Sequence, residues 1–141
     1  INLLSEEYIK FLPTYNHLFE GAIELLDFLF LKYKLHIITN GFEEVQNLKL
    51  EKSGIRKYFD KIITSESVGV KKPNPKVFHH ALAKANTKAE NSIMIGDNIE
   101  ADIIGALNCE IKSIHFNLEE TYFTHKNYIS VSSLLEIKQY L

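Results

Sequence analysis

Short apolar runs alternate along this chain with longer segments in which apolar residues recur at helical spacing. A run of about four to six residues rich in Ile and Leu is typical of a buried strand, and the longer periodic segments are typical of helices. The predicted strands are residues 35–38, 61–64, 92–95, 111–116 and 128–131. The predicted helices are residues 5–12, 22–32, 43–53, 76–85, 102–108 and 133–140. This alternation predicts parallel βαβ units, and therefore an α/β fold with helices packed on one parallel sheet.

Local signals indicate where several of these helices begin and end. Ser5 can cap the first helix, and Ser133 with Glu136 forms a capping box for the last. Gly54 follows the helix at 43–53 and suits its C-terminal cap. The helix at 22–32 carries too many apolar residues for a surface helix with a single apolar face, so we expect it to be largely buried.

The strand at 92–95 changes within a few residues into an acidic loop. Gly96 permits a tight turn, Asp97 follows directly, and Asp102 comes five residues after Asp97. In open α/β sheets, ligands bind outside the carboxyl ends of the strands. Two carboxylates there suit a Mg²⁺ ion that also holds a phosphate. An acidic turn that caps the following helix explains the same stretch.

A second polar strand end is Thr39-Asn40-Gly41, directly before a predicted helix. Thr39 supplies a hydroxyl, and the backbone N–H groups of Asn40 and Gly41 lie where the helix dipole favours an anion. These residues are candidates for binding a phosphate. The same tripeptide is also ordinary turn chemistry.

The third polar loop contains Lys71 and Lys72, and either lysine could neutralise a phosphoryl oxygen. We favour Lys72, because Pro73 restricts the backbone of the residue that precedes it. Right-handed crossovers place the carboxyl ends of all parallel strands on one rim. We therefore expect the three polar loops to meet.

Composition narrows the class of protein. The 141 residues, 45% of them hydrophobic, suffice for one domain with a sizeable core. A net charge of −2 argues against a broad nucleic-acid or membrane surface but allows a small anionic substrate. Cys109 is the only cysteine, so the chain forms no internal disulfide, and the cytoplasm is the default compartment. Cys109 fits a small core residue better than a nucleophile, because no neighbouring motif would activate it.

Taken in order, the motifs resemble those of the haloacid dehalogenase-like hydrolase superfamily. They are a strand ending in Thr-Asn, a Gly-x-Lys-Lys-Pro-x-Pro loop, and an apolar strand ending in Gly-Asp with a further Asp five residues on. The resemblance covers about residues 18–117. The stretches at 36–42 and 18–22 are most similar to the branch of pyrimidine nucleotidases.

This resemblance implies a three-layer Rossmann-like fold and roles for individual residues. Thr39 would bind the transferring phosphoryl group, with Asn40 and Gly41 assisting through their backbone. Lys72 would stabilise the charge shared by the nucleophile and the phosphate. Asp97 would be a Mg²⁺ ligand, and Asp102 would support the metal or orient the lysine.

The implied activity is hydrolysis of a small phosphorylated metabolite, such as a nucleoside monophosphate, through an aspartyl-phosphate intermediate. Two alternatives stay open: a metal-independent dehalogenase of the same superfamily, and a non-catalytic remnant that binds phosphate or a partner protein.

The chain departs from the family pattern, because it contains no Asp-x-Asp motif. In the family that motif lies on a first strand upstream and supplies both the nucleophile and the acid/base. Residues 1–15 are therefore interpreted as the tail of a helical cap domain, and residues 16–141 as an incomplete core. We expect the first central strand to be absent between the strands ending at Thr39 and Gly96. A partner chain or strand exchange, closure of the gap, or an upstream segment would then complete the sheet, and this chain alone would be inactive.

Two further positions carry expectations. Glu110 lies in a helix-to-strand turn where the family often has glycine, so we expect either a strained backbone there or a turn of different geometry. His36, inside a predicted strand, is expected to be a hydrogen-bonded structural histidine.

Overall fold

Six parallel strands form one sheet in the computed structural model, which describes residues 2–5 (backbone), 20–118, 120–122 and 124–141. The strands are β1 (Asn2–Ser5), β2 (Lys34–Thr39), β3 (Phe59–Thr64), β4 (Ser92–Gly96), β5 (Lys112–Phe116) and β6 (Tyr128–Val131). Their order is β3-β2-β1-β4-β5-β6, and every neighbouring pair is parallel. This is the order of a doubly wound Rossmann-like sheet, whose topological switch point lies between β1 and β4. The predicted α/β class and its parallel strands are confirmed.

Helices and short helical turns connect the strands. The helices are α1 (Ala22–Phe30), α2 (Glu43–Lys52), α3 (Ser65–Val68), α4 (Pro75–Lys84) and α5 (Gly105–Leu107). A π-helical turn at Ile99–Ile104 leads directly into α5, and 3₁₀ turns lie at Arg56–Tyr58, Ala89–Asn91 and Leu135–Tyr140. Within the described ranges, no helix is long and apolar enough to cross a lipid bilayer.

The sheet separates two apolar cores. Neighbouring strand residues point to opposite faces, so Ile37 packs in one core and Ile38 in the other. The larger core contains α1, whose Leu25, Leu26 and Leu29 are fully buried. The smaller core is formed by α4 and α5. Helix α1 buries only the face that carries these leucines, because other apolar residues on it are exposed. The expectation that α1 is largely buried is therefore wrong. The three layers are helices, sheet and helices.

The helix ends follow the sequence signals with two differences. Gly54 has a left-handed backbone (φ +76°) directly after the cap of α2, as predicted. The last predicted helix is a 3₁₀ turn, where the Ser133 Oγ accepts from the Glu136 N–H at 3.3 Å. The Glu136 carboxylate accepts instead from Ser132, so the predicted capping box is only half formed.

The predicted gap in the sheet is wrong, because β1 occupies it. Its residues run in register with residues 34–37 of β2 and 92–95 of β4. Two strands facing a gap would leave backbone N–H and C=O groups without partners, and β1 satisfies them from within the chain. Residues 2–5 therefore belong to the sheet rather than to a cap domain, and neither a partner chain nor strand exchange is required. Residues 6–15 of the predicted cap tail lie outside the described residues.

The strain expected at Glu110 is present, since its φ is +61°. A left-handed backbone costs a residue with a Cβ about 1 kcal/mol, whereas glycine adopts it freely. We therefore expect Glu110→Gly to raise the free energy of unfolding by up to about 1 kcal/mol, measured by urea denaturation. The matched control is Glu90→Gly, at an exposed position whose φ is not positive. This substitution should lower the free energy of unfolding. Equal effects of the two substitutions would refute the strain at Glu110.

His36 gives the fold a pH dependence. It is fully buried in β2, and burial lowers the pKa of its imidazole, with Asp60 partly opposing the shift. Below about pH 6.5 the unfolded chain binds a proton that the folded protein disfavours. The free energy of unfolding should therefore fall as pH drops from 7 to 5, and His36→Val should flatten that slope. Denaturant titrations across this range check it, with the exposed His79→Gln as control. If the free energy of unfolding of His36→Val falls with pH as steeply as that of the wild type, His36 is not the cause of the pH dependence.

Candidate phosphate- and metal-binding site

The three polar loops meet at the carboxyl ends of the strands, and Lys72 connects them. Its Nζ lies 2.7 Å from Asp102 Oδ1 and donates to the carbonyl oxygen of Ile38 at 3.3 Å. The side chain thus joins the loop before α4 to the end of β2 and to the turn after β4. Lys71, the other candidate lysine, is exposed. Of the two lysines, the geometry therefore favours Lys72 as the residue of the candidate site.

Lys72 and Asp102 form a buried ion pair, with side-chain exposures of 3% and 1%. Burial lowers the pKa of Lys72, and the carboxylate of Asp102 opposes that shift. Burial raises the pKa of Asp102, and the ammonium group of Lys72 opposes it in turn. The second carboxylate oxygen of Asp102 accepts from the Asn98 N–H at 3.0 Å. Because both oxygens are engaged, Asp102 is better placed to orient the lysine than to bind a metal.

The local backbone explains why Asp102 reaches this position. Asn98 caps the turn, since its Oδ1 accepts from the Ala101 N–H at 2.8 Å. The wide π-helical turn then carries Asp102 back over Gly96. A Cβ on Gly96 would lie 2.5 Å from the Cβ of Asp102, closer than atoms can pack. Glycine is therefore required at the end of β4.

Asn40 holds the lysine loop through its side chain. Its Oδ1 accepts from the Lys72 backbone N–H at 2.9 Å, and its Nδ2 is 3.5 Å from the Lys72 carbonyl oxygen. Its own carbonyl oxygen accepts from Ser65 Oγ at 3.1 Å. Sequence reasoning gave Asn40 only a backbone role and did not single out Ser65. The contacting residues are 25 to 32 positions apart, so no local pattern reveals them.

Thr39 is buried at the end of β2, and its hydroxyl oxygen accepts from the Gly41 N–H at 3.1 Å. The Thr39 proton then points away from that bond and can be donated to an anion. The following helix α2 has no side-chain cap at its N-terminus, which also suits an anion. Glu43 and Glu44 in its first turn oppose this effect. An anion bound here would therefore be attracted mainly by the charge of Lys72.

Asp97 follows β4 directly and is partly exposed. Its charge raises the pKa of Lys72, an effect smaller than that of Asp102. Among the described residues, no three ligating side chains converge on one point. Mg²⁺ is commonly held by one or two carboxylates together with water and phosphate oxygens, and Asp97 fits that sparse ligand set.

Cys109 takes no part in this site. It packs against the smaller core, and burial raises the pKa of its thiol, which disfavours the reactive thiolate.

Comparison with known proteins assigns the chain to a family. The model of haloacid dehalogenase-like hydrolases matches residues 2–116. The chain belongs to that family. The resemblance predicted from the motifs is therefore confirmed.

The similar proteins include phosphatases of more than one substrate class. Pyrimidine 5′-nucleotidase YjjG of Escherichia coli is 39% identical over 115 residues, covering 81% of this chain and 51% of that protein. Glyceraldehyde 3-phosphate phosphatase of Methanothermobacter thermautotrophicus is 36% identical over 119 residues, covering 82% of this chain and 53% of that protein. The magnesium-bound structure of the putative hydrolase YfnB from Bacillus subtilis superposes with a TM-score of 0.82 at 27% identity, covering 90% and 56%. This chain spans about half the length of these two relatives.

Proposed function

We propose that this chain supplies the phosphate- and metal-binding part of a Mg²⁺-dependent phosphomonoester hydrolase. The observation that carries the proposal is the buried Lys72–Asp102 pair at the carboxyl edge of the sheet, where β2 ends in Thr39 and β4 leads into Asp97. A buried, paired lysine beside a hydroxyl and a second carboxylate matches the needs of a phosphoryl group and its counter-ion. The named activities of the nucleotidase and phosphatase relatives support the same reaction class.

Each residue has a defined task in this proposal. Lys72, fixed by Asp102 and by the Ile38 carbonyl, neutralises charge on the phosphoryl oxygens. Thr39 donates its hydroxyl proton to the same group, and the backbone at Asn40 and Gly41 lines it. Asp97 holds Mg²⁺, which when bound withdraws charge from the phosphoryl oxygens.

The proposed substrate is a nucleoside monophosphate or another small phosphorylated metabolite. An aspartate would attack its phosphorus and release the alcohol, and water would then hydrolyse the aspartyl-phosphate to inorganic phosphate and the free aspartate. This chain contains no Asp-x-Asp motif to supply that aspartate. Enzymes accelerate phosphate-monoester hydrolysis by up to about 10²¹-fold, whereas positioned proton transfer contributes only about 10²- to 10⁴-fold. We therefore expect this chain alone to bind phosphate without useful turnover.

The location of this protein in the cytoplasm is likewise a prediction.

The experiment combines intact mass of the native gene product with phosphate release from a panel of nucleoside monophosphates and sugar phosphates. Release that requires Mg²⁺ and stops with EDTA supports the proposal. Dehalogenation that persists in EDTA would instead favour the metal-independent alternative. A native product starting near Ile1 that binds phosphate without releasing it would favour the non-catalytic remnant.

A further inference from the structure

A chain of hydrogen bonds runs from β6 through β5 to the loop that carries Asp97. His115 Nε2 lies 3.2 Å from the carbonyl oxygen of Asp97, and its Nδ1 lies 2.7 Å from the hydroxyl of Tyr128. A carbonyl oxygen can only accept, so Nε2 carries the proton. In the neutral ring Nδ1 then accepts from Tyr128. Both contacts are satisfied by one tautomer.

The position of His115 explains why it reaches Asp97. In the sheet it pairs with Gly96, the residue directly before Asp97. It is 2% exposed, and burying an imidazole is costly unless its nitrogens are hydrogen-bonded. An apolar residue would fill the same space without that cost. The imidazole therefore has a role that depends on its hydrogen bonds.

We propose that His115 is a positioning residue for Asp97, and that Tyr128 fixes the tautomer in which it acts. Gly96 restricts the backbone before Asp97 less than any other residue would, since it has no Cβ. The hydrogen bond from His115 fixes the peptide that follows Asp97, and with it the direction in which the Asp97 carboxylate leaves the sheet. The inference rests on the proposed function, because it takes Asp97 as the Mg²⁺ ligand.

Loss of this support should weaken the binding of Mg²⁺ rather than unfold the protein. Removing an outer partner of a metal ligand typically reduces metal affinity by about 10- to 100-fold. The contact here is to the backbone of the ligand rather than to its carboxylate, so we expect the lower end of that range. Mg²⁺ affinity should therefore depend on whether residue 115 has a hydrogen-bond donor at the position of Nε2, and not on the volume of its side chain.

The test measures Mg²⁺ affinity of the protein by isothermal titration calorimetry at a temperature where every variant is folded. His115→Leu, which has no donor, should raise the Kd about tenfold. His115→Gln, whose amide N–H can take the place of Nε2–H, should recover most of that loss. Tyr128→Phe should raise the Kd by a smaller factor. Ser113→Ala is the matched control, because Ser113 is buried on the same strand and its hydroxyl donates to the carbonyl oxygen of Ile111, two residues away.

Three results would overturn the inference. If His115→Leu binds Mg²⁺ as the wild type does while Asp97→Asn does not, the positioning role is wrong and the proposed function stands. If His115→Leu, His115→Gln and Ser113→Ala weaken binding equally, packing rather than the hydrogen bond is responsible. If the wild type binds no Mg²⁺, the inference and the proposed metal site both fail.

Discussion

Lys72→Met is expected to lower the free energy of unfolding by about 3–5 kcal/mol, because it leaves Asp102 buried without its counter-charge. Asp102 is 1% exposed in its side chain, so water cannot replace the lost ammonium group. Among the described residues, the other carboxylate oxygen of Asp102 accepts only a single neutral hydrogen bond, from the N–H of Asn98. Removing one member of a buried pair is far more damaging than the net stability of the pair suggests, because the desolvation of the other member stays uncompensated.

The double variant Lys72→Met/Asp102→Leu separates this effect from packing. Replacing both charges by apolar groups removes the uncompensated charge, so most of the lost stability should return. Lys71→Met, at the exposed neighbouring lysine, is the control and should change stability by less than about 0.5 kcal/mol. Urea unfolding at pH 7 measures all three. A loss below about 1 kcal/mol in Lys72→Met would contradict the buried pair.

Asp97→Asn in the full-length protein is expected to lower Mg²⁺-dependent turnover by at least about 100-fold while the fold is retained. The amide has the shape of the carboxylate but lacks the negative charge that a hard divalent cation requires. Asp97 is partly exposed, so loss of its charge should have little effect on stability. The measurements are phosphate release as a function of Mg²⁺ concentration and the melting temperature of each variant.

Asp60→Asn is the matched control for this prediction, since Asp60 is an exposed acid on β3. It should leave both turnover and metal dependence unchanged. Unchanged turnover and metal dependence in Asp97→Asn would remove Asp97 from the site. A fall in turnover that high Mg²⁺ fully restores would instead show that only metal affinity was lost.

Most of the fold was predictable because the strands β2 to β6 are apolar runs bounded by polar turns. The alternation of buried strands with helices determines a parallel sheet almost by itself. The central strand β1 was missed for a physical reason. Asn2–Ser5 is short and leads into Glu6 and Glu7, a pattern that also suits the cap of a helix. Its place is decided by the backbone groups of β2 and β4, which no local pattern reveals.

The sequence predicted which residues of the candidate site lie at or after strand ends, but not the contacts that support them. Parallel topology brings Thr39, Lys72 and Asp97 to one rim, and that argument needs only their positions along the chain. The supporting contacts were not predictable in the same way. Those of Asn40 and His115 depend on neighbours 32 and 18 positions away.

The most direct test of the central claim is the affinity of the protein for inorganic phosphate, measured by calorimetry with and without Mg²⁺. If Lys72 and Asp97 hold a phosphoryl group and its counter-ion together, Mg²⁺ should tighten phosphate binding, and phosphate should tighten Mg²⁺ binding by the same factor. The double variant Lys72→Met/Asp102→Leu should lose phosphate affinity although it is folded. Phosphate binding that is independent of both Mg²⁺ and Lys72 would contradict the account.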